Sequence, residues 1–214
     1  MLDITTKHCW VLDLDRTLSS VEIVMEAIQN VCTEMKLDYT KIAEQKDLTE
    51  LHGHSFSLLT TVGSLWPEVL DEFCTKFKQN DHLECIYPDA RSFLAEAKKL
   101  DIPCVIITYG DPLWQSIKME LGGVIQIPHI VCDIPEKSVL LAQYRRGSQF
   151  ELHTSSGIVR TETITMVDDK PVAFEAIPPG VSGILITRSD SIPTVPSAIR
   201  NINTFDEIIG ELES

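Results

Sequence analysis

Two aspartates one residue apart end an apolar run in the segment CWVLDLDRTLSS, residues 9–20. In an extended chain residues two apart point the same way, so Asp13 and Asp15 share a direction while Leu12 and Leu14 pack inward. Neighbouring carboxylates at the end of a buried strand repel each other and lose hydration unless a cation or a shared proton accompanies them. Magnesium is the simplest companion, because it takes oxygen ligands from one or two carboxylates together with water and phosphate. The bland alternative is a pair of solvated loop aspartates. The apolar lead-in argues against it, since it sets the pair at a sheet edge, where open α/β sheets carry their sites.

The segment DLDRTL resembles D-x-D-x-T-L, the first motif of the haloacid dehalogenase-like (HAD) superfamily, and three more segments match that family's pattern in order. They are VIITYG, a strand ending in Thr108; PEKSV, with Lys137 at a helix start; and ITMVDDKP, a strand ending in Asp168 and Asp169. The resemblance implies phosphoryl transfer. Asp13 is then the nucleophile that carries a transient aspartyl-phosphate. Asp15 protonates the leaving oxygen and afterwards activates water. Thr108 and Lys137 bind the phosphoryl oxygens. The metal set is Asp13, Asp15 through its backbone carbonyl, and Asp168, with Asp169 sharing in it or orienting Lys137. Lys118, Lys170, Arg145 and Arg146 are alternative cations to Lys137, and Asp169 can also cap the helix expected after Pro171. Arg16 stands where the family often has glycine, a bulky cation that shapes substrate access.

Two other groups invite weighing. His52 and His54 form an H-x-H pair, but no further ligands stand at metal-binding spacing, which leaves a structural role or contact with substrate. Asp111 and Pro112 suit N-cap and N1 positions of a helix, and Trp114 suits a core position.

The elements that must carry these residues follow from periodicity. Short runs rich in Val and Ile at about 8–14, 103–108, 128–132, 163–167 and 183–187 predict strands buried on both faces of a parallel sheet. Helical patterns at 89–100, 112–121, 135–145 and about 171–177 separate them. That alternation predicts an α/β fold, a Rossmann-like three-layer core with a central parallel sheet and a site at the strands' carboxyl ends. The interval 19–87 departs from it. It holds helical segments without a convincing strand: one opened by a capping box of Ser19 and Glu22 with Val21, Val24, Met25, Ile28, Cys32 and Met35 on one face, and others near 40–50 and 67–79. The organisation expected is a core of 1–18 and 88–214 with an all-helical cap, 19–87, above the site. Residues 145–162 read as a hairpin turning near TSSG.

Composition narrows the classes. The 214 residues suit one compact unit or a core with an insertion, and 43% hydrophobic with 23% charged residues is ordinary globular usage. No apolar run reaches the roughly 18 residues of a membrane span, and the opening MLDITTKHCW lacks the regions of a signal peptide, so a cytoplasmic location is expected. The six cysteines form no C-x-x-C pair and read as reduced core residues. A net charge of −14 argues against nucleic acid as a partner but not against a small anion in a locally positive site. The function expected is a magnesium-dependent phosphatase acting on a small phosphorylated metabolite. The helical cap suggests the substrate's size, because closure over the site excludes large molecules. A phosphomutase or phosphotransferase would use the same motifs, a dehalogenase would need neither Asp15 nor metal, and a silent acidic interaction protein is the non-enzyme reading.

Overall fold

The computed structural model describes residues 2–80, 83–188 and 196–213. An eight-stranded sheet organises it, four strands in a row with two further branches on the last of them. Strand β1 (Leu2–Leu12) lies at the centre and runs parallel to β2 (Cys104–Tyr109) on one side and β6 (Gly157–Asp168) on the other. Strand β3 (His129–Cys132) extends the sheet beyond β2. The carboxyl-terminal half of β6 pairs with β7 (Val181–Ile186), which pairs with β8 (Arg200–Ile202), both parallel. The amino-terminal part of β6 instead takes antiparallel β5 (Gln149–Thr154), followed by β4 (Arg145–Arg146).

Alternation along β1 builds the layers. Trp10 and Leu12 enter one apolar cluster, while Cys9 and Val11 enter a second on the opposite face. The first cluster includes Phe93 of α5 (Pro88–Lys99) and Trp114 of α6 (Pro112–Leu121), and the second includes Leu141 of α7 (Lys137–Gln143). Helices on both faces satisfy the requirement that a parallel sheet be covered twice.

Between β1 and α5 the described residues form helices α1 (Val21–Met35), α2 (Tyr39–Leu51), α3 (Leu58–Leu65) and α4 (Leu70–Lys78), with a 3-10 turn at Pro67–Val69. They bury Val24, Ile28, Ile42, Leu58, Val62, Phe73 and Phe77 in the first cluster, so their interior is continuous with the core. The outgoing and returning chains are paired. Ser20 N donates to Cys85 O at 2.7 Å and Tyr87 N to Leu18 O at 2.9 Å. Arg188 braces that junction by donating to Thr17 O at 2.8 Å and to Asp89 at 2.7 Å, with its guanidinium 4.1 Å from the Tyr87 ring centroid.

Several expectations need correction. Strand β1 starts at Leu2 and stops at Leu12, so Asp13 and Asp15 lie in the turn beyond it. Ser20, not Ser19, caps α1, accepting from Ile23 N at 3.2 Å and donating to Glu22 at 2.9 Å. Ser19 is occupied otherwise, its backbone bridging Asp15 and Ile86. The hairpin at 145–162 exists, but its second arm is the start of the core strand β6. The helix expected at 135–145 is shorter, and that at 171–177 is a 3-10 segment, Pro171–Phe174. All six cysteines are free thiols, and no helix among the described residues is long and apolar enough to cross a membrane.

Candidate active site

The carboxyl ends of β1, β2 and β6 and the start of α7 converge on one cleft. Its lining includes Asp13, Asp15, Thr108, Lys137 and Asp168. Asp13 follows β1 and is anchored by its own N–H, which donates to Val167 O at 2.9 Å. Thr108 sits in β2 and Asp168 ends β6, both almost fully buried. Lys137 opens α7, and its ammonium donates to Asp13 Oδ1 and, at 2.6 Å, to Asp168 Oδ2. Asp168 Oδ1 accepts from Lys170 N at 2.8 Å.

Carboxylate oxygens of Asp13, Asp168 and Asp169 lie within 4.8 Å of one another. Lys137, with the Lys170 charge near Asp169, does not offset the burial and mutual repulsion of this cluster. Burial pushes the Asp13 carboxyl up to about 6 despite the opposing Lys137 charge. Burial, with repulsion from Asp13 and Asp168, pushes Asp169 up to about 8. Burial pulls Lys137 down, but the two carboxylates it touches outweigh this and hold it firmly protonated. Asp169 Oδ1 is buried with no hydrogen-bond partner. An all-oxygen set with one orphaned donor atom suits a hard divalent cation.

Asp15 faces a different neighbour. Lys118 of α6 donates to its two carboxylate oxygens at 2.6 and 2.5 Å, and Gln115 Nε2 lies 3.5 Å away. Burial raises the Asp15 carboxyl, but the Lys118 charge and these hydrogen bonds outweigh it and set the net shift downward. Sequence reasoning treated Lys118 only as a substitute for Lys137 and did not find this pair. A signal existed: Gln115 and Lys118 interrupt the stripe of Trp114, Ile117 and Leu121 that α6 buries.

The remaining candidates lie further out. Arg145 reaches Pro179 O at 2.5 Å and Arg146 reaches Gln143 O at 2.8 Å, outside the cleft. His52 is exposed and bonds Leu48 O at 2.7 Å, while His54 lines a neighbouring cavity with Ser55 and Phe56. Asp111 caps α6, accepting from Trp114 N at 2.7 Å.

The sequence matches no protein-family model and no curated protein. Solved structures do match. A haloacid dehalogenase-like hydrolase candidate from Burkholderia xenovorans LB400 is 15% identical, with TM-score 0.67 over 97% of this chain and 99% of that one. The chain has the HAD-like fold. A HAD phosphatase from Thermococcus onnurineus is 16% identical, with TM-score 0.59 over 97% and 98% of the two chains. The L-2-haloacid dehalogenase from Xanthobacter autotrophicus is 13% identical, with TM-score 0.54 over 98% and 99%. The HAD-like fold thus carries two different reactions in these neighbours, and only side chains can separate them here.

Proposed function

We propose that the protein is a magnesium-dependent phosphatase that hydrolyses a small phosphate monoester through a phosphoryl group carried transiently on Asp13. The buried cluster of Asp13, Asp168 and Asp169 is the observation that supports this most. Halide displacement needs one nucleophilic carboxylate and no cation, and two more acids beside it would only add repulsion. Asp13 and Asp168, with the backbone carbonyl of Asp15, would hold magnesium, and the orphaned Asp169 would join them or orient Lys137. Bound there, the cation would offset the repulsion between Asp13 and the ester's anionic oxygens.

In the first step an Asp13 oxygen attacks phosphorus, the ester P–O bond breaks, and protonated Asp15 gives its proton to the departing oxygen. In the second, Asp15 as a carboxylate takes a proton from water, whose oxygen attacks phosphorus and releases Asp13 and phosphate. Thr108 hydroxyl and Lys137 ammonium donate to the phosphoryl oxygens throughout. The ion pair with Lys118 favours the anionic Asp15 that the second step requires. Helices α1–α4 serve as the cap, and their cavity beside the cleft suits a small leaving group.

Phosphate release from p-nitrophenyl phosphate, measured with magnesium and after chelation, tests the reading. Chelation should abolish turnover, and Asp13→Asn should lower it at least about a thousandfold with the circular dichroism spectrum unchanged. Wild-type turnover by Asp13→Asn, or chloride release from 2-chloropropionate without any phosphatase activity, would overturn it.

A further inference from the structure

A second cavity opens beside the cleft. Asp15, Tyr109 and Lys170 line both, so the two adjoin. Its volume is about 80 Å³, room for several waters. That suits a leaving group of a few heavy atoms. Val21 and Met25 of α1, Phe56 and Trp114 supply apolar walls.

The charges on the walls are unusual for a chain of net charge −14. Arg16, Lys46, Lys118 and Lys170 all line the cavity. Two of them are neutralised locally, Lys118 by Asp15 and Lys46 by Glu50 at 3.0 Å, and the Lys170 charge is partly offset by Asp15 and by Asp169, which also lines the cavity. Among the described residues no side-chain hydrogen bond or ion pair engages the Arg16 guanidinium or the Lys170 ammonium. Both therefore have hydrogen bonds to give, and Arg16 is the less compensated of the two.

The backbone at Arg16 is also unusual. Three non-glycine residues have positive φ: Arg16 at 59°, Lys36 at 56° and Asp101 at 55°. Lys36 caps the end of α1 and Asp101 follows the end of α5, where left-handed geometry is an ordinary helix stop. Arg16 lies at no helix end. It holds a conformation that costs an L-residue about 1–2 kcal/mol and glycine almost nothing. The tight turn holds it there, with Arg16 N donating to Ser19 O at 2.7 Å and Leu18 N to Leu14 O at 3.0 Å.

We propose that this cavity receives the leaving group of the phosphate ester, and that the leaving group bears a second anion, a carboxylate or another phosphoryl, bound by the Arg16 guanidinium with Lys170 beside it. The inference rests on the phosphatase reading and specifies its substrate class. A guanidinium presents a planar fork of donors that matches either oxyanion with two parallel hydrogen bonds. One anion then faces Lys137 and Thr108 and the other faces Arg16, so the ester is held at both ends across Asp15.

Steady-state kinetics on three esters with a three-carbon skeleton test this: glycerol 3-phosphate, whose leaving group is uncharged; 3-phosphoglycerate, which carries a carboxylate; and 1,3-propanediol bisphosphate, which carries a second phosphoryl. At least one doubly anionic ester should exceed glycerol 3-phosphate in kcat/KM by about tenfold to a hundredfold, as expected for one charge-assisted contact, and the better one identifies the anion. Arg16→Gln should collapse that preference mainly through KM, and Arg16→Lys should restore part of it. Equal kcat/KM for the three esters, or a preference that survives Arg16→Gln, overturns the substrate class while phosphate release from p-nitrophenyl phosphate still upholds the phosphatase. No turnover of any ester sinks both.

Discussion

Asp13 and Asp15 are two residues apart in one turn, yet their surroundings drive them in opposite directions. Asp13 is 6% exposed and shares its pocket with Asp168 and Asp169, so burial raises its carboxyl to about 6. The Asp15 side chain keeps 27% exposure and has Lys118 against both oxygens, and its carboxyl shifts down. Local sequence does not account for the difference. Asp13 takes its environment from β6 and α7, and Asp15 takes its own from α6. Two carboxylates pushed apart in this way are suited to different tasks.

Removing each lysine separately breaks the comparison at its strongest point. Lys137→Met leaves Asp13 and Asp168 buried without their cation. Stranding a buried charge in this way costs about 3–5 kcal/mol. Urea denaturation of the metal-free variant should show a loss of that size, and magnesium should recover part of it. A loss under about 1 kcal/mol would mean that solvent reaches the pair and that Asp13 is no more enclosed than Asp15.

The pH dependence of stability probes the acidic side alone. Asp169 is raised from 3.8 to about 8 in the folded protein, so the folded state holds a proton that the unfolded chain has released. Stability is then full below the unfolded value and falls as pH rises through about 8. Between about pH 7 and 8 the metal-free protein should lose roughly 1 kcal/mol, since a full one-proton difference is worth about 1.4 kcal/mol per pH unit; above pH 8 the six thiols, all raised by burial, add to the fall. His8, whose value is lowered from 6.5 by burial, titrates below this window. Magnesium should flatten the profile by replacing the proton. Thermal denaturation at several pH values with and without magnesium measures both effects, and a metal-free profile that stays level over this range would remove the case for a strained acidic cluster.

The parts of the molecule that were legible in the sequence are those with short-range signals. The apolar runs marked β1, β2, β3, β6 and β7, and four short motifs singled out the side chains that now share the cleft. What escaped depends on distant partners. Residues 2–6 of β1 are only partly apolar, and they become strand because they pair with Gly157–Thr161, far along the chain. For the same reason the arm of the hairpin could not be seen as the start of β6. Helix α3 escaped because it is eight residues long and lies between GHSF and WP. The cap of α1 moved from Ser19 to Ser20 because the returning segment at Cys85 and Ile86 claims Ser19 and fixes the register. Lys118 could be seen on α6, but only the docking of α6 against the turn brings it to Asp15.

That docking yields the smallest stability effect and the sharpest kinetic one. In Lys118→Met, water can solvate the part-exposed Asp15, so the stability loss should stay near 0.5–1 kcal/mol, well below that of Lys137→Met. The shift on Asp15 must nevertheless reverse in part. Without the Lys118 charge and hydrogen bonds, burial is opposed only by the Gln115 hydrogen bond and the Lys170 charge, and the carboxyl rises. A higher value keeps Asp15 protonated to higher pH, so the limb of kcat/KM that falls as the acid loses its proton should move upward in pH. The step that needs Asp15 as a base weakens at low pH in the same variant, and kcat there should drop. A limb that stays in place in Lys118→Met, with the ion pair demonstrably gone, would show that Lys118 is a fold contact and that something other than α6 separates Asp15 from Asp13.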